Sequence, residues 1–99
     1  MLAIDFGTQG TVVMSGRLDA AQSPKAQEFL DGVQGAVTLD CTRLEYISSL
    51  GLGVLLKTQK RLLGKGGKLR LAGVSPHLQD IFVYSGFDRI FEIESAPQP

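Results

Sequence analysis

The 99-residue chain contains one cysteine and no tryptophan. A lone thiol, Cys41, cannot close an intrachain disulfide, so a reducing compartment is expected. There is one histidine, His77, and no Cys/His spacing of the kind that holds zinc, so no metal site is expected. An excess of charge of one sign is also missing, since ten basic and ten acidic residues give a formal net charge of zero. Nucleic-acid-binding modules normally carry a basic excess to meet the phosphate backbone, so the balance argues against a nucleic-acid partner. Long apolar runs are absent too. No stretch approaches the roughly 18 apolar residues of a membrane span. The first six residues lack a positive n-region and are interrupted by Asp5, unlike a secretion signal. The expectation is a soluble, cytoplasmic protein without direct membrane insertion, monomeric when free.

What is present suits one small globular domain. Hydrophobic residues make up 43%, and a chain of this size can bury enough surface to fold alone. The expected domain runs over 1–95, with a disordered tail at 96–99.

Residues 2–6 and 11–17 read as two strands joined through the turn formers Gly7-Thr-Gln-Gly10, a hairpin by composition. Ser23-Pro24 has the form of an N-cap followed by proline at the first helical position. Ala26, Phe29, Leu30 and Val33 then repeat at i, i+3, i+4 and i+7. Ala36 to Asp40 reads as a short buried strand, followed by a polar loop. Ser49 is the expected cap of a helix over 50–63, with Leu52, Leu55, Leu56 and Leu63 on one side and Lys57 and Lys60 on the solvated other. Gly64-Lys-Gly-Gly67 stops it. A strand over 68–72, a third helix after the cap signal Ser75-Pro76, a stop at Gly86 and a short strand over 90–93 complete the order ββαβαβα(β). After the hairpin, strands and helices alternate. The fold class is therefore α/β, with a mixed, mainly parallel sheet and helices packed on it.

Little of this chain fits catalysis. Gly51-Leu-Gly53 lacks the third glycine of a dinucleotide fingerprint, because residue 56 is leucine. Small residues there are read as allowing close backbone approach. Gly64-Lys-Gly-Gly-Lys68 is followed by Leu69 and precedes a strand, the wrong order for a phosphate loop. Ser49 has no Gly-x-Ser-x-Gly context, and His77 lies on another helix, so no nucleophile has a base in view. No catalytic residue and no cofactor are expected. Asp19 follows the second strand and Asp40 ends the third, so both could share the sheet's C-terminal edge with Ser48 and Ser49.

Three segments together resemble a known family. Gly16-Arg-Leu-Asp-Ala20, Val37-Thr-Leu-Asp40 and Tyr46-Ile-Ser-Ser-Leu-Gly-Leu-Gly-Val54 are similar to the STAS domains of bacterial anti-sigma factor antagonists. The similarity continues through Gly66 to Ala72, Ser75-Pro76 and Phe82 to Phe87, covering nearly the whole chain. The family often has Asp-Ser-Ser/Ala-Gly-Leu at its switch. Aligned through Gly51-Leu52, Ser49 falls on the regulatory serine, Ser48 replaces the aspartate and Leu50 the small residue. The resemblance implies a non-enzymatic partner switch that an anti-sigma factor/serine kinase binds and phosphorylates at Ser49, or less favourably at Ser48. A PP2C-type phosphatase would reverse the modification. The implied partner surface is Asp19, Ala20, Ser48, Ser49, Leu50, Gly51 and Leu52. A regulatory or assembly subunit of a transporter, such as a lipid-exporting ABC system, is the alternative. A small-ligand sensor and an enzyme rank below both.

Overall fold

The computed structural model describes residues 1–96, and the tail expected at 96–99 falls outside it except for Ala96. Strands β1 (Leu2–Phe6) and β2 (Thr11–Leu18) form the expected hairpin. Helix α1 (Ser23–Leu30), strand β3 (Ala36–Ile47), helix α2 (Ser49–Leu63), strand β4 (Lys68–Val74), helix α3 (Pro76–Ser85), a 3-10 turn (Phe87–Arg89) and strand β5 (Glu92–Ser95) follow. The strands lie in the order β1-β2-β3-β4-β5. Only β1 and β2 are antiparallel; β2-β3, β3-β4 and β4-β5 are parallel. Ala96 extends the last ladder by donating to Val74 O at 2.9 Å.

The order of strands decides where the helices lie. Each β-α-β crossover moves one strand along the sheet in the same direction. Right-handed crossovers taken in one direction leave their helices on one face. The burial pattern agrees. Val12, Met14, Leu18, Val37, Leu39, Leu69 and Leu71 point into the core with Leu30, Leu55, Leu62, Leu78 and Phe82 of the helices. Val13, Ser15, Thr38, Asp40, Arg70 and Ala72 alternate with them and none is buried. Mainly parallel sheets are usually covered on both faces. Here the second face is instead made compatible with water by charge pairs, Lys68–Glu92 at 2.9 Å and Arg70–Glu94 at 2.7 Å.

Buried polar groups fix how the helices sit. Gln59 of α2 accepts from the Leu69 N–H at 2.6 Å and donates to Ile90 O at 3.0 Å, tying the helix to β4 and to the segment before β5. Arg61 donates to Leu30 O and Val33 O at 2.8 and 2.7 Å, closing the end of α1 against α2. The buried face of α2 accordingly includes Thr58 and Gln59, while Leu63 is exposed, correcting the all-leucine face expected from spacing.

The free edge of β1 is partly closed by side chains. Arg17 N–H to Met1 O and Gly7 N–H to Thr11 O show that odd-numbered residues of β1 bond to β2. The backbone groups of Leu2, Ile4 and Phe6 therefore face outward. Lys25 donates to Leu2 O at 2.6 Å, and Asp5 accepts the Phe6 N–H at 2.8 Å.

Candidate functional site

The end of β2 builds the start of α2. Leu18 O accepts the Ser48 N–H at 2.9 Å. A Cβ added to Gly51 would lie 2.7 Å from Leu18 Cγ and 2.8 Å from Leu18 O, closer than side-chain carbons approach. Glycine at 51 is thus what lets the first turn of α2 rest on β2. The reading of small residues as aids to close approach holds for Gly51 and not for Gly53, where an added Cβ would meet nothing within 4 Å.

This anchoring separates the two serines. Ser48, not Ser49, is the N-cap: its backbone is extended and its Oγ accepts the Gly51 N–H at 3.1 Å. Ser49 is the first helical residue and is exposed. Its hydroxyl makes no hydrogen bond among the described residues. The expected cap is one residue off because β3 does not stop at Asp40; it continues beside β2 to Ile47, where Ile47 is paired with Leu18. Ser48 occupies the position where the resemblance places an aspartate. Both residue types cap helices well, so the replacement keeps the local function of that position.

Asp19 and Ala20 follow Leu18 directly, so the loop after β2 sits beside the α2 start. The Asp19 carboxylate accepts the Gln22 N–H at 3.0 Å, and Asp19 O accepts from Ser23 Oγ at 2.8 Å. Ser23 therefore lies inside α1, and the N-cap expected there is absent; Gln22 occupies that position without a side-chain cap. Asp40 is also displaced from its expected place. It sits mid-strand with its carboxylate accepting from Thr42 N and Thr42 Oγ1 at 2.9 and 2.6 Å. Seven residues of strand, on the order of 20 Å, separate it from Ile47, so Asp40 does not join the serines.

Between α1 and α2 lies an open recess of about 380 Å³ lined by Ala20, Pro24, Gln27, Ser49, Leu50 and Lys57, with Gly53 and Val54 also facing it. Leu50 is 60% exposed beside Ser49. Gly51 and Leu52 are buried, so they shape this surface from behind. Leu52 also lines a second open recess, with His77, Asp80, Ile81 and Tyr84 of α3. Lys57 and Gly53 were not expected here. Their signal was present as i+4 and i+8 spacing from Ser49, and Lys57 is exposed as its place on the solvated face predicts while also lining the recess. The one cysteine is inert by position: burial first, then the Asp40 charge, pushes the Cys41 thiol up to about 12. Among the described residues no cluster of metal-ligating side chains occurs, and no helix is long and apolar enough to cross a membrane.

Comparisons with known proteins match the chain over most of its length. The family model described as "Mlab, STAS domain" matches residues 4–93. BtrV of Bordetella bronchiseptica is 36% identical over 85 residues, covering 86% of this chain and 72% of that protein. The anti-sigma-B factor antagonist of Listeria monocytogenes is 34% identical over 89 residues, covering 86% of this chain and 78% of the relative. The anti-sigma factor antagonist SpoIIAA in its unphosphorylated form superposes with a TM-score of 0.74 at 22% identity, covering 94% of this chain and 87% of that one. SpoIIAA of Bacillus in its phosphorylated form gives 0.68 at 22% identity, with 94% and 90% covered.

Proposed function

The chain belongs to the STAS-domain family of anti-sigma factor antagonists, and we propose that it works as a phosphorylation-controlled partner switch. In this reading the unphosphorylated protein binds an anti-sigma factor that is also a serine kinase, and so frees that protein's client. The kinase then phosphorylates Ser49 with ATP and is released. A PP2C-type phosphatase resets the switch. The chain itself performs no catalysis; it is the substrate of its partners' chemistry.

One observation carries the reading. Ser49 is an exposed hydroxyl without a structural task, next to the exposed side chain of Leu50, while the capping task belongs to Ser48. Modification at 49 therefore leaves the cap in place. A phosphate adds about −1.5 to −2 charges and three acceptor oxygens. At the first residue of a helix the free N–H groups and the dipole tolerate that charge. A partner's apolar or acidic surface does not. A desolvated charge without a counterpart costs several kcal/mol at an interface, and about 3 kcal/mol lowers affinity roughly a hundredfold. Modification at Ser48 would instead fall on the capping oxygen itself, so that the Gly51 N–H would have to be taken over by a phosphate oxygen.

The test is binding to the cognate kinase with and without ATP, together with peptide mass spectrometry. Ser49→Ala is expected to bind under both conditions and to stay unmodified. Ser49→Asp is expected to bind more weakly than the parent, though one carboxylate reproduces a phosphate imperfectly. Phosphate found on Ser48 alone would sink the assignment. The matching family model is named for Mlab rather than for a sigma regulator, so the second reading is a regulatory or assembly subunit of a transporter. Affinity capture separates the two, by recovering a soluble kinase or an ABC ATPase.

A further inference from the structure

Gly53 sits in the interior of α2, where glycine is less favourable than alanine by about 1 kcal/mol. Nothing in the packing asks for it: its φ is not in the left-handed region, and space is open where a Cβ would be. It lies four residues after Ser49 and four before Lys57, and all three line the same recess. Residues four apart share a helix face, so Gly53 leaves a side-chain-free gap between the serine and the lysine. Side chains on a helix lean towards its N-terminus, which inclines Lys57 across that gap. About 12 Å of helix rise separates the two residues, and because Ser49 leans towards the N-terminus as well, it is the extended Lys57 that makes the approach.

The charge around the recess favours an anion. Lys57 is the one ionisable side chain among the residues that line it. From α1 the facing side chain is Gln27, which is neutral, and Lys25 of that helix is engaged with Leu2 O. Of the carboxylates close by, Asp19 accepts the Gln22 N–H, Asp31 accepts from the Gln27 amide at 2.7 Å, and Glu28 lines a separate recess with Ile4, Lys25 and Phe29. The ion pairs on the sheet's open face are made by Lys68 and Arg70 and do not include Lys57.

We propose that Lys57 reaches back over Gly53 towards a phosphate on Ser49, so that phosphate and lysine together fill the recess while the phosphate adds charge to the surface. The inference rests on the reading of Ser49 as the modified residue. In this arrangement Lys57 is a positioning residue for the phosphate. Release of a partner then has two parts: repulsion at the rim, and occupation of the space between α1 and α2.

The test uses the full chain with phosphoserine installed at residue 49 during translation, which needs no kinase. Phosphorus NMR follows the second ionisation of the phosphate against pH. A cation about 6 Å away in a water-like medium lowers that ionisation by about 0.5 pH unit. Lys57→Met is expected to raise it by about that amount, and Lys57→Arg to leave it near the parent value. Lys60→Met, on the same helix but outside the recess, is the control and is expected to leave it unchanged. Equal shifts in Lys57→Met and Lys60→Met, or no shift in Lys57→Met, overturn the proposal. Failure of every kinase to modify Ser49 would instead strike at the switch itself, so the two failures are told apart.

Discussion

Helices α2 and α3 begin with the same device and put it to different ends. Each starts from a serine whose Oγ accepts the N–H three residues on: Ser48 from Gly51 at 3.1 Å, and Ser75 from Leu78 at 3.2 Å. The next residue is Ser49 in α2 and Pro76 in α3. Proline at this place presets the backbone and lacks an N–H that would go unused; serine offers a hydroxyl to solvent. The third helical residue is buried in both, but as glycine in α2, pressed on Leu18, and as leucine in α3. The cap is thus fold chemistry in both helices. What distinguishes the candidate site is the residue after the cap, left without a structural duty, and the glycine that brings it against the end of β2.

The comparison can be broken most severely at the buried positions. Leu78→Ala removes a fully buried side chain and should cost about 2–5 kcal/mol in denaturant unfolding. Gly51→Ala inserts a methyl group where Leu18 already lies and should cost about 1–3 kcal/mol. If Gly51→Ala were neutral, the close approach of α2 to β2 would not constrain the site. The caps come next. Ser48→Ala and Ser75→Ala should each lose about 1 kcal/mol, whereas Ser49→Ala should stay within about 0.5 kcal/mol of the parent. A loss at 49 matching that at 48 would reverse the assignment of roles. Gly53→Ala should change sign and stabilise the fold by up to about 1 kcal/mol, because the helix gains and nothing is displaced. The smallest effect lies far from both helix starts. Glu92 is held below its ordinary value of 4.5 by its hydrogen bond from Lys68, then by the charges of Lys68 and Arg70. A depressed carboxyl stabilises the fold above that ordinary value and ceases to do so as pH falls through the lowered one. Glu92→Gln should therefore flatten slightly the acid limb of the stability profile while leaving the helix starts untouched.

These residues also show what can be read from a sequence. The order of elements and the mainly parallel sheet follow from periodicity and turn residues alone, and the family, with the segment carrying the candidate site, from its motifs. The assignment of the cap between two adjacent serines does not. It is set by Leu18 O taking the Ser48 N–H and by β3 running on to Ile47. That second half of β3 reads as a loop because β4 pairs with it only as far as Asp40, leaving Thr42, Arg43 and Glu45 free to be polar and exposed. Lys57 reads as solvated and is exposed; what stays hidden is the recess beside it, which exists only once α1 and α2 are packed, with Arg61 bonded to the end of α1.

The edge of β1 bears on how copies of this chain behave when crowded. An unpaired strand edge is a template on which another strand can grow. Here the carbonyl of Leu2 and the N–H of Phe6 are already engaged by Lys25 and Asp5. A strand adding at that margin must first displace an ammonium and a carboxylate to reach the backbone behind them. Ordinary surface residues thereby guard the sheet against templated aggregation.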